Sequence, residues 1–293
     1  MATQARKIRL TQTRKRWAEG RGSATFEGKA LAAPDAAEAR FNATLQKAVR
    51  IMAERTNREI RRLYTAPSAP GVAQDASFAS MADRLLRALR KRFNVLFSDL
   101  AGGLAEALAK GVDRQSAISL KGSLKELSGG VTLKTDVVGG AVADVIKASI
   151  RQNVALIKSI PEEYFLEIEG AVMRSIQSGR GMADLQPFLE KRYNITKNRA
   201  ALIARDQTSK ATTAINRARM QGLGVRKFKW LHSGGGKEPR SLHKNVLNGN
   251  VYSLDEPPVI DDRTGERGLP GQLINCRCRM VPVIEFKAEE TTK

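Results

Sequence analysis

Two cysteines separated by one residue, Cys276 and Cys278, are the chain's only thiols. With His232 and His243 they supply four nitrogen and sulfur donors, the number that a tetrahedral zinc site uses. Spacing weighs against that ion: structural zinc pairs usually separate their cysteines by about two to four residues, so the single Arg277 would strain both thiolates onto one metal. The favoured reading has small buried cysteines on one face of a strand, with His243 bonded to a loop carbonyl, and expects no cofactor. Arg277 and Arg279 would then project from the other face, toward the acidic loop at Asp261-Asp262 or toward DNA. A disulfide is not expected, because side chains two apart on a strand project the same way without meeting as that bond requires. A reducing cytoplasm fits these cysteines best.

Other chemical signals fail on inspection. The run from Ser233 to Lys237 looks like a phosphate-binding loop, but Glu238 follows the Gly-Lys pair where Ser or Thr is needed, and the leading glycine is absent. Glu167-Ile168-Glu169 has the paired-carboxylate spacing of ADP-ribosyltransferases, yet it falls in a predicted helix where ordinary surface glutamates explain it.

Charge is the strongest bulk property. The 293 residues carry 50 Lys and Arg against 30 Asp and Glu, a formal net charge of +20, which attracts polyanions over about a Debye length. Nucleic acid is the first partner to test; an anionic membrane surface or an acidic protein would be served by the same charge. No stretch of about 18 uncharged apolar residues exists, and the N-terminus lacks an apolar run before a small-residue cleavage site. No membrane partner and no secretory processing are expected. Residues 1–29 hold Arg6, Lys7, Arg9, Arg14, Lys15, Arg16, Arg21 and Lys29 against Glu19 and Glu27. They read as a flexible basic arm, too poor in apolar groups to offset its own ordering entropy; it either orders on a polyanion or stays a solvated tail.

The elements that position the cysteines and histidines follow from periodicity. Phe41, Leu45, Ala48, Met52, Ile60 and Leu63 mark a helix from Asp35 to Tyr64, and Leu85, Leu86, Leu89, Phe93 and Phe97 mark a second from Phe78 to about Leu100. Further helical pieces are predicted over 102–127 and 140–160, and Pro161-Glu162-Glu163 is read as the start of another that reaches Gln177. Residues 161–190 reverse the local charge, giving either a face for a basic partner or a solvated acidic surface. A long helix is predicted from Lys197 to about Gln221. Its small apolar stripe includes Gln207, which either braces a loop of the following segment or reaches solvent at the stripe's edge. Next come a strand over Val225 to Leu231 that buries Phe228 and Trp230, a short helical turn near His243, a turn at Asn248-Gly249 and a brief strand from Val251 to Leu254. A long loop over 255–271 leads to a closing strand from Cys276 to Ile284, with Pro282 at an edge or exit position.

Ile203-Ala204-Arg205-Asp206-Gln207, Ala214 to Arg219, Trp230, Arg240, His243, the Gly249 turn, Pro257-Pro258, Pro270-Gly271 and Asn275-Cys276-Arg277-Cys278 with Pro282 follow one order and spacing. Together they resemble the phage head morphogenesis family, the minor head proteins like that of phage Mu. The likeness covers about residues 180–286. It departs from the family in the loop before His243, where Gly234 to Arg240 replaces the usual Asp-containing stretch.

Charge, periodicity and the resemblance together give a mainly α protein with a small C-terminal α+β domain: the charge run marks an arm over 1–33, the helical spacing a helical domain over 34–180, and the resemblance a head morphogenesis domain over 181–286, with a tail over 287–293. Arg205, Asp206, Gln207, Trp230, His243, Asn275, Cys276, Arg277 and Cys278 would be the structural motif of the head morphogenesis domain. The resemblance further implies a virion component, in the head interior or at the portal vertex, that is found in host cytoplasm during assembly. Its partners would be a portal protein and major capsid or scaffold proteins, with several copies in each head. Sequence-independent contact with double-stranded DNA is read from charge instead, through Arg6, Lys7, Arg9, Arg14, Lys15 and Arg16 on the arm, Arg84, Arg87 and Lys91 on the second helix, and Lys210 and Arg217 on the long one. The rival readings are a portal or scaffold adaptor without DNA binding and a toxin-like ADP-ribosyltransferase, a domain that some phage head proteins carry. A thiol nucleophile served by His232 or His243 has no support in the resemblance, and no enzyme activity is expected.

Overall fold

A computed structural model describes residues 23–65, 77–127, 139–234 and 238–287. Arg6, Lys7, Arg9, Arg14, Lys15, Arg16 and Trp17 lie outside the described residues, as do Gly129-Gly130, Lys237 and residues 288–293. The order of elements is β1 (Ser23–Glu27), α1 (Asp35–Thr65), α2 (Phe78–Leu127), α3 (Gly140–Gln177), α4 (Met182–Gly222), β2 (Lys227–Leu231), a π-helical turn (Leu242–Leu247), β3 (Val251–Ser253) and β4 (Arg279–Lys287). The protein is mainly helical with one small antiparallel sheet.

Two compact units divide the chain, and neither is continuous in sequence. One, the helical unit, comprises the described residues of Glu38–Ala107 and Ile150–Arg205; the other, the sheet unit, comprises those up to Ala37, those of Leu108–Ser149 and those from Asp206 onward. These borders differ from cuts at 33, 180 and 286.

In the helical unit, α1 buries Phe41, Leu45, Ala48, Met52 and Ile60 as its spacing predicts, and Val49, Ala53 and Thr56 widen the buried stripe across the one gap in it. Phe93 of α2 stacks on Phe165 of α3 with ring centroids 6.0 Å apart. Two expected helix breaks are absent. Helix α2 continues through Gly102-Gly103, because Ala101, Ala105, Leu108, Ala109 and Val112 carry the buried stripe straight across and both glycines face open space. Each glycine costs helix propensity, about 1 kcal/mol against alanine, and packing overrides it. Helix α3 runs through Pro161 rather than starting there. A proline interior to a helix forfeits one ladder bond, and the unbroken burial of Ile157, Ile160, Tyr164, Phe165, Ile168 and Val172 holds the turn in place. Helix α4 begins fifteen residues earlier than Lys197, with Leu185 and Leu189 buried and Pro187 in its second turn.

Helix α4 ends where Gly224 adopts φ 81° and the Val225 N–H reaches back to the Met220 carbonyl at 2.9 Å, the six-to-one closure that a left-handed glycine permits. The chain then enters the sheet, whose order is β1-β4-β2-β3 with every pairing antiparallel. Strand β1 corrects the reading of residues 1–29 as one arm: Ser23–Glu27 pairs along β4, Leu31 is buried, and Lys29 bonds Glu126 at 2.8 Å.

Strand β4 is interior, so Pro282 does not sit on an edge strand. Its carbonyl accepts from the Gly28 N–H at 2.9 Å, on the β1 side, which puts Pro282 in the non-hydrogen-bonded register with Phe228 of β2. The missing N–H therefore removes no bond to β2, and it faces the point where β1 has ended. Phe228, Trp230, Met280, Val225, Leu254, Ile260, Leu269, Leu120, Leu124 and Leu127 form the core of the sheet unit, with Cys276 and Cys278 inside it.

Candidate functional site

His243 is buried in the π-helical turn, and the Trp230 ring packs against it edge-on with centroids 5.0 Å apart. Its Nε2 lies 2.9 Å from the Ile260 carbonyl; a carbonyl only accepts, so Nε2 carries the proton and donates. Nδ1 is left with its lone pair. That lone pair faces the Cys276 sulfur at 3.5 Å and the Cys278 sulfur at 3.8 Å. The bond from His243 to a loop carbonyl is thus the expected one.

The two cysteines are buried, but they precede β4 rather than lying in it. Asn275 turns the chain at φ 60°, after which burial alternates along Cys276, Arg277, Cys278 and Arg279, with both arginines exposed. Asp261 is not their partner: the Arg263 backbone N–H donates to its carboxylate at 3.0 Å and holds its pKa below the ordinary range, helped by the charges of Arg263 and Arg240. His232 stands apart from the cluster, with its Nδ1 accepting from the Gly234 N–H at 3.1 Å. Among the described residues the group that can converge on one point is His243, Cys276 and Cys278.

The sulfurs share their protons unequally. The Cys276 thiol is held well below the usual thiol range, first by a hydrogen bond from Cys278, then by the backbone N–H groups of Cys278 and Gly271, against the opposing effect of burial. Cys278 is pushed up by that same bond, by burial and by the charge on Cys276. A thiolate beside an imidazole has the composition of a nucleophilic pair. Here both cysteines are buried, at 5% and 8% exposure.

Helix α4 braces the loop that delivers the cysteines. Ser209 donates to the Cys276 carbonyl at 3.0 Å and Thr213 to the Pro270 carbonyl at 2.5 Å. Gln207 is buried rather than solvent-facing, and these two hydroxyls, which stand outside the sequence motif, hold the loop that follows. Gly271 makes the close approach possible. It has φ 89°, and a Cβ there would lie 2.7 Å from both hydroxyl oxygens. Gly271→Ala is expected to destabilise the sheet unit by about 2–4 kcal/mol, from backbone strain and overpacking together. A shift in urea midpoint checks this, and a loss below about 0.5 kcal/mol would contradict the geometry.

The remaining motif and basic residues fall into separate environments. Asp206 is buried and bonds Lys210 at 2.8 Å, so Lys210 is partly neutralised within its own helix. Arg205 and Arg217 are half-buried. Arg84, Arg87 and Lys91 project from α2 into solvent, with Arg87 paired to Asp83. Of the paired glutamates, Glu169 bonds Arg90 at 3.4 Å, and Glu167 is exposed on α3 with Ile168 buried between them. No helix among the described residues is long and apolar enough to cross a membrane.

Comparison with known proteins bears on the same region. Over 144 residues, 49% of this chain, it is 31% identical to an uncharacterised protein of Haemophilus influenzae, of which 30% is covered. Over 129 residues, 41% of the chain, it is 28% identical to the uncharacterised protein YqbB of Bacillus subtilis, of which 42% is covered. The matched part of the chain thus spans less than half the length of these curated relatives. No solved structure matches. Residues 166–281 match the family described as Phage Mu protein F like protein, and the segment over which the chain is similar to that family holds the Trp230, His243 and Cys-Arg-Cys cluster.

Proposed function

We propose that the chain acts as a minor head protein of a tailed phage or prophage, in the head interior or at the portal vertex, and contacts packaged DNA without reading its sequence. The family match supports the head role. The observation that carries the DNA contact is the charge, +20 over the whole chain, with Arg84 and Lys91 held in solvent by a rigid helix. Lys210 and Arg87 are the weaker of the proposed contacts because Asp206 and Asp83 already engage them. Such cations position phosphates and release counterions, and they discriminate no bases. Portal and capsid or scaffold proteins are the proposed protein partners, several copies serving each head in assembly, packaging or ejection.

The test is duplex binding against salt, comparing the full chain with a deletion of residues 1–22. That deletion spares the β1 strand and removes seven basic residues. The slope of log K against log salt is expected to flatten by about 0.9 for each phosphate that the shortened chain no longer neutralises, equally for unrelated duplex sequences. An unchanged slope would remove the arm from the interface. Binding that holds its strength as salt rises would overturn the DNA contact altogether. Co-purification with the portal protein that survives nuclease treatment checks the protein contact by itself.

A further inference from the structure

Three buried donors, one of them already oriented by a second group, form the best-defined chemical arrangement in the described chain. His243 offers an Nδ1 lone pair because its Nε2–H is committed to the Ile260 carbonyl at 2.9 Å. An imidazole ligand commonly has this outer partner, a carbonyl or carboxylate that fixes tautomer and ring plane. The lone pair points at two sulfurs, 3.5 and 3.8 Å away, and all three donor atoms lie within 4.8 Å of one another. Zinc bonds of about 2.3 Å to sulfur and 2.0–2.1 Å to nitrogen, at tetrahedral angles, place nitrogen about 3.6 Å from sulfur and the two sulfurs about 3.8 Å apart. The nitrogen-to-sulfur spacings already stand within a few tenths of an ångström of that, and the sulfur pair needs a shift of about 1 Å or less.

We propose that His243, Cys276 and Cys278 bind one zinc ion, with water in the fourth position. The objection from spacing holds for two cysteines on a regular strand. The turn at Asn275 and the irregular path before β4 bring the sulfurs together instead. Charge balance suits the same ion: two thiolates and a neutral imidazole cancel its double charge. Relative to two neutral thiols, binding displaces two protons to solvent and forms two zinc–sulfur bonds and one zinc–nitrogen bond. The ion would tie the π-helical turn to the start of β4, where the packing otherwise relies on a loop held by Ser209 and Thr213.

The full chain, expressed in zinc-supplemented medium and purified without chelator, is expected to hold about one zinc per chain by elemental analysis. Native mass spectrometry should show the mass of one zinc less two protons. Cobalt added to the metal-free folded protein should give the near-ultraviolet sulfur-to-metal charge-transfer band and the visible bands of a tetrahedral site. Cys278→Ser and His243→Ala should each lower zinc affinity at least tenfold. Should either variant fail to fold, the wild-type cobalt spectrum decides alone. Zinc far below one equivalent, with no charge-transfer band and both thiols free to react when the protein is unfolded, would overturn the proposal. A disulfide between the two cysteines in that metal-free protein would do so as well.

Discussion

Trp230→Ala is expected to destabilise the sheet unit by about 3–5 kcal/mol, the range for truncating a large aromatic side chain in a core that cannot collapse around the gap. The indole is fully buried. It stands on β2 opposite Met280 of β4 and packs edge-on against His243, so its removal opens a void between the sheet and the turn that carries the histidine. Burying about 150–250 Å² of aromatic surface accounts for the magnitude at roughly 25 cal/mol per Å². Trp230→Phe keeps most of that surface and should cost clearly less. Urea unfolding followed by circular dichroism measures both, and a loss below about 1 kcal/mol for the alanine variant would mean that neighbouring side chains refill the space.

Much of this arrangement is legible in the residues. The alternation of Phe228 and Trp230, the Asn248-Gly249 turn and the glycine at 224 each act through local geometry, and local geometry is what a sequence displays. The helix stripes are readable for the same reason, whereas their lengths are not. Gly102-Gly103 and Pro161 are local breakers overridden by buried residues on either side, and that packing is set by other helices. Strand β1 is hidden because Ser23–Glu27 is short, lies beside basic residues and pairs with a strand about 260 positions away.

The cysteine cluster divides along the same line. Residue types and the histidine-to-carbonyl bond can be anticipated. Two other features depend on tertiary contacts: the separation of His232 from His243, and the turn at Asn275 that gathers the sulfurs. The bracing hydroxyls of Ser209 and Thr213 leave no signal, since serine and threonine in a helix usually bond within it.

Asp113→Ala is expected to cost about 3–5 kcal/mol, as much as the loss of Trp230, although it removes a small and partly exposed side chain. The reason is its partner. Arg219 of α4 places its guanidinium on Asp113 of α2, and the side chains are 2% and 25% exposed respectively. Removing the carboxylate takes from a buried cation an ion pair that offsets part of its desolvation, and breaking such a pair from one side is its most damaging disruption. The reverse change should be milder. Arg219→Met keeps the packing of the aliphatic stem, and Asp113 has enough exposure to turn toward water, so a cost of about 1–2 kcal/mol is expected. The double replacement should fall below the sum of the two, because neither charge then remains to be compensated. Equal costs for the two single changes would mean that Arg219 reaches solvent or another acid once Asp113 is gone. The neighbouring Ser116 hydroxyl, which donates to Asn216 at 2.6 Å across the same two helix segments, then becomes the next contact to test by the same cycle.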